Sequence, residues 1–160
     1  MPPKVTKLGP GTLTVGPTAS VMDVSCQVQN AVVAWSADTE DDLKVLCGDT
    51  VPGARNYSST ISGTMLEDLD TGGFVEYTWT HKGETVDLTY TPNTEQGATV
   101  TGQIVLDPLD VGSTEDFGTP MASDFEWAFV GDPVLVAGTP AAAAAAAPES
   151  VAKSLKAAAR

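Results

Sequence analysis

The residues that most often carry chemistry are rare in this sequence. Its 160 residues include two cysteines, Cys26 and Cys47, and one histidine, His81. A structural zinc site takes about four nitrogen or sulfur ligands, and these three residues lack both the number and the spacing. Without a recognisable secretion signal, we expect the two cysteines to be reduced thiols in the core rather than a disulfide. The sequence therefore indicates no metal site and no cofactor.

Positive charge is scarce as well. Eight lysines and arginines stand against 21 aspartates and glutamates, which gives a net charge of −13. The segment after Ala137 holds three of these bases and one of the acids, so residues 1–137 alone carry −15. Such a surface repels the phosphates of nucleic acids and of anionic membranes. We therefore expect neither specific DNA binding nor membrane binding.

Long apolar runs are missing too. No stretch is long enough to span a bilayer, and residues 1–10 contain no apolar run of about seven residues, so we expect no targeting segment. Hydrophobic residues make up 42% of the chain, which is enough to fill one core of ordinary size. The sequence predicts one domain over residues 1–137.

An alanine- and proline-rich extension over residues 138–160 follows this domain. Pro140 and Pro148 bracket seven alanines, and residues 149–160 have high helix propensity. Two interpretations stay open at this point: a flexible extension with marginal helicity, and a docking helix for a partner.

Alternation of apolar and polar residues predicts strands through the rest of the chain. The predicted strands are residues 12–15, 24–28, 31–35, 57–66, 86–91, 98–106, 125–130 and 133–136. Two interpretations of residues 31–35 stay open: a continuation of the strand at 24–28, and a partner strand to it. A hairpin loop is predicted at Pro92–Gly97 and a turn at Gly131–Asp132, while Pro92–Asn93 is expected to end a strand. Between two strands, apolar residues recur at three- and four-residue intervals from Leu66 to Trp79, which predicts a short helix interrupted near Gly72–Gly73. The predicted fold is mainly β, a sandwich or barrel with one flanking helix.

Candidate catalytic groups are few, and each has a simple structural interpretation. His81 has no nucleophile motif around it and is interpreted as a side chain at a helix end. The acidic segment Asp38–Asp42 lacks the glycine and distal glutamate of a calcium loop and is interpreted as a solvated loop. A pair of carboxylates for glycoside hydrolysis stays open, since no spacing selects one. Trp35, Trp79 and Trp127 are expected in the core rather than on a sugar-binding surface.

Several segments in a fixed order and spacing cover residues 1–136. After a glycine-rich arm come Val24–Trp35, Val45–Asp49, Tyr57–Thr64, Phe74–Trp79, Pro92–Asn93, Val100–Val105 and Ser123–Trp127. Together they resemble the major tail protein, or tail-tube protein, of long-tailed, non-contractile bacteriophages of actinobacteria. The resemblance does not extend into the alanine-rich extension.

The resemblance implies a structural virion protein rather than an enzyme. Members of that family form hexameric rings that stack into a hollow tube, and the genome passes through it to the host. The implied partners are further copies of the chain and the tape-measure, tail-terminator and distal-tail proteins, with DNA passing through unbound. The implied location is the virion, after assembly in the cytoplasm of the host.

Elementary physics is consistent with such an assembly. A strand edge offered to a neighbour closes a ring if the rotation allows, and a second contact along the axis adds ring upon ring. We expect two segments to bridge successive rings, the arm Lys4–Pro17 and the long loop Ala37–Asn56. The candidate ring-stacking residues are Lys4, Val5, Leu8, Leu43, Val45 and Arg55. The candidate residues for core or helix packing are Phe74, Tyr77, Trp79 and Trp127.

The excess of carboxylates also has a use in a conduit, because an acidic wall repels DNA and keeps it mobile. We expect many carboxylates to face the lumen, although the sequence does not select which. Two other classes stay open: another virion β-protein, such as a tail terminator or a capsid decoration protein, and a carbohydrate-binding or hydrolytic β-sandwich.

Overall fold

The computed structural model describes residue 3 and residues 5–138. This part of the chain folds into nine strands and one helix, so the prediction of a mainly β fold with one helix is confirmed. The elements are β1 Thr12–Val15, β2 Met22–Asp23, β3 Val28–Thr39, β4 Leu43–Lys44, β5 Thr50–Val51, β6 Arg55–Leu66, α1 Phe74–Thr80, β7 Thr85–Asn93, β8 Ala98–Val105 and β9 Ala122–Val136.

Seven of the strands form one antiparallel sheet in the order β2-β1-β7-β8-β9-β6-β3. The sheet curves around the core until its two ends approach each other, and the Tyr90 hydroxyl of β7 donates to the Ala31 carbonyl of β3 at 2.9 Å. The ends do not pair through their backbones, so the sheet stays open and is not a closed barrel.

The long strand β9 joins the two halves of this sheet. Its first part, Ala122–Ala128, pairs with β6, and its second part, from Phe129 to Val136, pairs with β8. The pairing with β8 is irregular between Thr101 and Gln103, and Gly131 has a φ of 76°. Glycine adopts this left-handed conformation at low cost, which lets the strand bend and continue. The predicted turn at Gly131–Asp132 was therefore wrong, because a bend within one strand replaces it.

The core fills the concave side of the sheet. Alternate residues point inward and are almost fully buried, as the periodicity of β6, β7 and β8 requires. The largest of them are Leu13, Ile61, Met65, Leu88, Ile104 and Trp127. Helix α1 covers part of this core through Phe74, whose ring meets that of Trp127 edge-on at 6.0 Å between centroids. Burying such side chains contributes about 1.5–3 kcal/mol each.

The helix is shorter than the apolar spacing predicts, because it begins only after the glycine pair. Gly72 has a φ of 82° and Asp70 O accepts the Gly73 N–H, so a turn precedes the first helical residue. Leu69, which the helical spacing includes, lies outside the helix and is half exposed. The helix ends at Thr80, and His81 caps it by donating its backbone N–H to Tyr77 O.

Two other predictions about strands were wrong. Residues 24–27 form turns rather than a strand, with Val24 buried and Cys26 exposed. Of the alternating apolar residues 24 and 26, only Val24 is buried in the core, so the alternation there does not reflect the pleat of a strand. Pro92 does not end its strand, since β7 continues through an irregular pairing to Asn93.

The expected arm and the expected loop both contain paired strands. Within the arm, β1 pairs with β7 and buries Leu13 and Val15 in the core. Within residues 37–56, β3 and β6 stay paired out to Thr39 and Arg55, and β4 and β5 form a small hairpin beyond them. The sequence missed this pairing because polar and turn-forming residues on both strands hide the alternation.

Residues 34–58 are here called the ribbon. They comprise the outer parts of β3 and β6 with the hairpin between them, and all but Gly53 are exposed. A two-stranded ribbon without a core is marginally stable in water by itself. The ribbon therefore projects from the domain with both faces accessible. Residues 139–160, with both interpretations of the alanine-rich extension, lie outside the described residues.

Candidate assembly surfaces

Strand β3 presents a long free edge. The Glu40 N–H donates to Ala54 O at 2.9 Å, so even-numbered residues of β3 direct their backbone groups toward β6. Odd-numbered residues then direct theirs away, as the Ala31 carbonyl does toward Tyr90. From Val33 to Thr39 the outward N–H and C=O groups have no backbone partner among the described residues. Such an edge is a template for pairing with another strand.

The opposite end of the sheet is better protected. Strand β2 covers Thr14 and Val15 of β1, and the Ser25 hydroxyl accepts the Leu13 N–H at 2.9 Å. Asp23 in turn accepts both the backbone N–H and the hydroxyl of Ser25, and these hydrogen bonds hold the pKa of the Asp23 carboxyl below its usual value. These contacts use up the donors and acceptors that β1 would offer to a neighbour.

A second free edge lies along the end of β9. From Val130 onward β9 pairs only with β8, because β6 has already turned away into the ribbon. Val130, Val134 and Val136 are 49%, 58% and 54% exposed, and they share the outer face of the sheet with their β8 partners. Grouped exposed valines on a strand with a free edge indicate contact with another protein. The sequence predicts both strand segments there but not their exposure.

The ribbon has one aromatic face. Trp35 and Tyr57 are 52% and 59% exposed, and the register places them diagonally across β3 and β6 on the same face. The Arg55 guanidinium lies 6.0 Å from the centre of the Tyr57 ring. The other face carries polar residues of the opposite parity, among them Ser36, Asp38, Asn56 and Ser58. An apolar face on an exposed ribbon is suited to covering a neighbouring molecule.

The hairpin at the end of the ribbon adds further apolar surface. Leu43, Val45 and Leu46 are exposed, Leu46 completely. The Asp42 carboxylate accepts the Gly53 N–H at 2.9 Å, so one member of the acidic cluster serves to hold the hairpin base. Cys47 lies in the same hairpin and is exposed and free.

The segment before β1 lies along the turn between β7 and β8. Asn93 Nδ2 donates to Lys7 O at 3.0 Å, and the Thr94 N–H donates to Pro10 O at 2.9 Å. Val5 and Leu8 are nonetheless more than two-thirds exposed. The segment is thus held by its backbone while its apolar side chains are left uncovered.

The candidate ring-stacking residues from the sequence fall into two separate groups. Val5 and Leu8 lie on the segment before β1, whereas Leu43, Val45 and Arg55 lie on the ribbon. Lys4 lies outside the described residues. Sequence reasoning did not include Trp35, Tyr57 or the valines of β9. The alternation over residues 31–35 and 57–66 signals strands there, but not that the strands leave the core.

The candidate packing residues also divide. Phe74 and Trp127 are buried, Tyr77 is partly buried, and Trp79 is 55% exposed with its indole N–H donated to Leu109 O at 2.7 Å. The expected core position was therefore wrong for Trp35 and Trp79. It was also wrong for Cys26 and Cys47, which are exposed. Cys26 lies in a turn and Cys47 in a hairpin loop, and such residues have no periodic neighbours from which their exposure can be inferred.

The described residues include one histidine, His81, and no cluster of metal-binding side chains. Within residues 5–138, no group of three histidine, cysteine, aspartate or glutamate side chains is arranged to hold a metal ion. His81 stacks on Tyr77 at 4.3 Å, and its Nδ1 lies 3.0 Å from Tyr77 O. Burial, with a smaller contribution from Glu84, raises the pKa of the Tyr77 phenol. Among residues 5–138, α1 is the one helix, and its seven residues are too few to span a bilayer.

Positive side chains avoid the outer face of the sheet. Among the described residues, Lys7 precedes β1, Lys44 and Arg55 belong to the ribbon, and Lys82 follows the helix. Arg55 shares the face of Tyr57, not that of the polar ribbon residues. The outer face of the sheet body is instead built from threonine, serine, glutamine, valine and carboxylates.

Comparisons with known proteins give a structural likeness and no match by sequence. No family model matches the chain, and no curated protein matches it. A chain in the solved structure "Virion of native gene transfer agent (GTA) particle" superposes with a TM-score of 0.53 and 19% identity, covering 78% of this chain and 95% of that one.

A second solved structure gives the same result. A chain in "Tail of empty GTA particle computed with helical refinement, C6 symmetry" superposes with a TM-score of 0.56 and 17% identity, covering 79% of this chain and 95% of that one. At identities this low, the superpositions show a common fold only. The function has to be argued from the surfaces of this chain. This chain thus has the fold of a chain found in gene transfer agent particles, over nearly the whole length of that chain.

Proposed function

We propose that this chain is the structural subunit of a phage-type tail tube, in which six copies form a ring and the rings stack into a hollow conduit for DNA. The observation that carries the proposal is the shared fold with a chain from a tail of C6 symmetry, spanning 95% of that chain. The resemblance of the sequence to tail-tube proteins of long-tailed actinobacteriophages supports the same conclusion independently.

The two free edges supply a physical route to a ring. The edge of β3 and the edge of β9 beyond Val130 lie on different strands, so their pairing between copies is a head-to-tail contact. Head-to-tail contacts close into a ring when the rotation per copy divides a full turn. Closure then removes both edges from solvent, which suppresses uncontrolled pairing.

The ribbon and the segment before β1 are the proposed contacts between successive rings. The ribbon projects from the body and the segment lies along it, and both expose apolar side chains, Leu43 and Val45 on the ribbon and Val5 and Leu8 on the segment. Arg55 and Lys4 supply positive charge that would meet the acidic body of the next ring. This second head-to-tail contact does not close, so rings keep adding along one axis.

The remaining features of the proposal follow from this role. The subunit is a non-enzymatic virion protein without cofactors, assembled in the cytoplasm of a bacterial host. Tape-measure, tail-terminator and distal-tail proteins are its proposed partners besides its own copies. DNA passes through the tube without being bound, as the charge of −13 favours.

Electron microscopy of the purified full chain at high concentration tests the proposal. We expect stacked six-fold rings with a central channel, alone or after addition of the initiating end of a tail. A chain that stays monomeric under both conditions contradicts the proposal. Isolated rings that never stack favour a tail terminator, and trimers favour a capsid decoration protein.

The carbohydrate-binding alternative loses its simplest form in this structure. A sugar platform needs exposed aromatic rings, and Trp127 is 1% exposed. Trp79 is exposed without a stacked aromatic partner among the described residues, so the exposed pair Trp35 and Tyr57 on the ribbon is the aromatic surface left for a glycan. Absence of binding on a glycan array would remove this alternative altogether.

A further inference from the structure

The proposed tube leaves open which surface of the subunit meets DNA, and the structure offers two faces of the sheet for this role. One is the outer face of β6 and the first half of β9, here called the acidic face and defined by Ser62, Thr64, Asp124 and Glu126. The other is the outer face of β1, β7 and β8 with the end of β9. Only one of them can line a channel if the domain sits as a two-layered wall.

Register and hydrogen bonding place the four residues of the acidic face together. Ser62 is opposite Glu126 and Thr64 is opposite Asp124, and the Thr64 hydroxyl donates to the Asp124 carboxylate at 2.7 Å. Their neighbours Ile61, Met65, Phe125 and Trp127 point to the other side, into the core. Asp124 and Glu126 are exposed, so both carboxylates lie at the surface in contact with water.

The acidic face continues onto the polar side of the ribbon. The same parity that puts Ser62 outward puts Ser58 and Asn56 outward, with Ser36 and Asp38 opposite them on β3. Val32 is the one large apolar residue that this parity exposes on β3, and single exposed apolar residues are common on protein surfaces. No lysine or arginine of β3, β6 or β9 lies on this surface, while Lys44 of β4, opposite Thr50, has the same parity at the tip of the ribbon.

The second sheet face carries apolar residues that a channel for DNA does not need. Val130, Val134 and Val136 are all about half exposed on it. A grouped apolar surface is more stable when protein covers it than when water does. This face is therefore suited to contact with neighbouring copies, which leaves the acidic face for the channel.

The helix lies on the side of the sheet opposite the acidic face. Phe74 of α1 meets Trp127, and the Trp127 side chain points away from those of Asp124 and Glu126 along β9. Lys82 follows the helix, so a positive charge occurs on that side together with Glu76 and Glu84. Mixed charges suit a surface that faces solvent, and a cation-free surface suits a wall that must not bind phosphate.

We infer that the acidic face, continued by the polar side of the ribbon, lines the channel and is the surface that repels passing duplex DNA. The inference rests on the proposed tube and adds the orientation of the subunit in it: sheet face inward, helix outward. Repulsion by Asp124 and Glu126, repeated in every copy, keeps the polyanion off the wall. Serine and threonine hydroxyls keep the wall hydrated, and no lysine or arginine of β3, β6 or β9 offers phosphate an attachment point on it.

Cysteine labelling of assembled tubes tests this orientation. In a Cys26→Ser/Cys47→Ser background, Ser62→Cys reports the acidic face and Lys82→Cys is the matched control beside the helix. Before assembly, both cysteines are expected to react with a small maleimide and with a maleimide on a large polyethylene glycol. After assembly, the cysteine at position 62 should react with the small reagent only, and the cysteine at position 82 with both.

The outcomes separate the orientation from the tube itself. If the tube forms and position 62 reacts with the large reagent as fast as before assembly, the acidic face is outside and the inference is wrong. If position 62 reacts with neither reagent, the face is buried between copies and the inference is also wrong. If the cysteine-free background and the unaltered chain both fail to form tubes, the proposed function fails and the orientation fails with it.

Charge reversal gives a second readout. Tubes of Asp124→Lys/Glu126→Lys are expected to retain at least about tenfold more nuclease-resistant short duplex DNA at low salt than unaltered tubes, and to release it at high salt. The matched variant Asp70→Lys/Glu84→Lys makes the same charge change beside the helix, and its DNA should stay open to nuclease. Equal protection in both variants, or protection in the matched variant alone, would overturn the inference.

Discussion

The three tryptophans of this chain occupy three different environments. Trp127 is buried beneath the helix, Trp79 rests on the surface with a hydrogen bond to Leu109 O, and Trp35 lies on the ribbon. All three lie in elements that the sequence predicts. Whether each one stabilises the core or stays exposed depends on its position relative to the core. The same residue type therefore serves stability in one place and is available for contacts in another.

Trp127→Ala should cost about 3–5 kcal/mol in the free energy of unfolding, because it removes a large core side chain that packs on Phe74 and Phe125. Trp79→Ala is the matched control and should cost less than about 2 kcal/mol, since it loses one hydrogen bond and part of a surface contact. Urea titration of the two variants measures both values. Equal losses would contradict the assigned environments.

Tyr90 makes the stability depend on pH in the alkaline range. Burial raises the pKa of its phenol above the ordinary value of about 10, so the folded state favours the neutral form. This contribution is complete below pH 10 and is lost as the pH rises through the raised folded value. The unfolding free energy of the unaltered protein should thus fall more steeply above pH 10 than that of Tyr90→Phe.

The same variant has a second expected effect at neutral pH. Tyr90→Phe loses the hydrogen bond to Ala31 O and should be less stable by about 1 kcal/mol at pH 7. Urea titrations at pH 7 and at several values above pH 10 give both quantities. Identical alkaline slopes in the two proteins would show that other groups cause the loss.

At the scale of elements, the ribbon differs from the rest of the structure because it buries no side chain in the core of the domain. Its residues lie outside the core, and its strands β4 and β5 pair only over Leu43–Lys44 and Thr50–Val51. A segment with few buried contacts contributes little to the stability of the domain. Its length and apolar tip are consistent with a role outside the isolated subunit.

Removal of the hairpin should therefore separate folding from assembly. Replacing residues 41–53 by Asn-Gly joins Glu40 to Ala54, a pair that is already hydrogen-bonded, through a two-residue turn that suits paired strands. The free energy of unfolding should change by less than about 1 kcal/mol, because no core residue is removed. Stacked rings should disappear in electron micrographs, while a variant with Gly-Ser added after Gly112, in the exposed loop before β9, should still form them.

Loss of stability on hairpin removal would show that the ribbon belongs to the folding unit. Unchanged stacks would show that it does not join rings. Either result would contradict the proposed role of Leu43 and Val45.

For the whole molecule, net charge opposes association. Copies that each carry −13 repel one another, and the repulsion grows as rings stack. At physiological salt this repulsion acts over about 8 Å. Contacts of apolar residues and of strand edges must outweigh the repulsion before copies can associate. Because salt screens the repulsion between copies of like charge, assembly should become more favourable as the ionic strength rises.

Raising sodium chloride from about 20 mM to about 300 mM should accelerate tube growth, because added salt shortens the distance over which like charges repel each other. Light scattering at fixed protein concentration measures the rate. The variant Asp70→Lys/Glu84→Lys, with a smaller net charge, should show a weaker dependence on salt. Slower growth at high salt would mean that complementary charges, not apolar contacts, dominate the interface.

Much of the fold was predictable because periodicity reports local structure directly. The strands at residues 12–15, 57–66 and 98–105 alternate with one face in the core, and the sequence predicts them within a few residues. The continuation of β3 and β6 into the ribbon was not predictable in this way. There, neither face is buried by the domain, so no alternation marks the pairing.

The sequence by itself determined the class of the fold, the scarcity of catalytic groups and the excess of negative charge, because composition and two-residue alternation are properties of the chain alone. Only the tertiary structure decided which edges stay free, which side of the ribbon is aromatic and which carboxylates share a face. These depend on the bend of β9 at Gly131 and on the register of β6 with its neighbours. Register and bending arise from contacts between residues far apart in sequence, which local patterns do not encode.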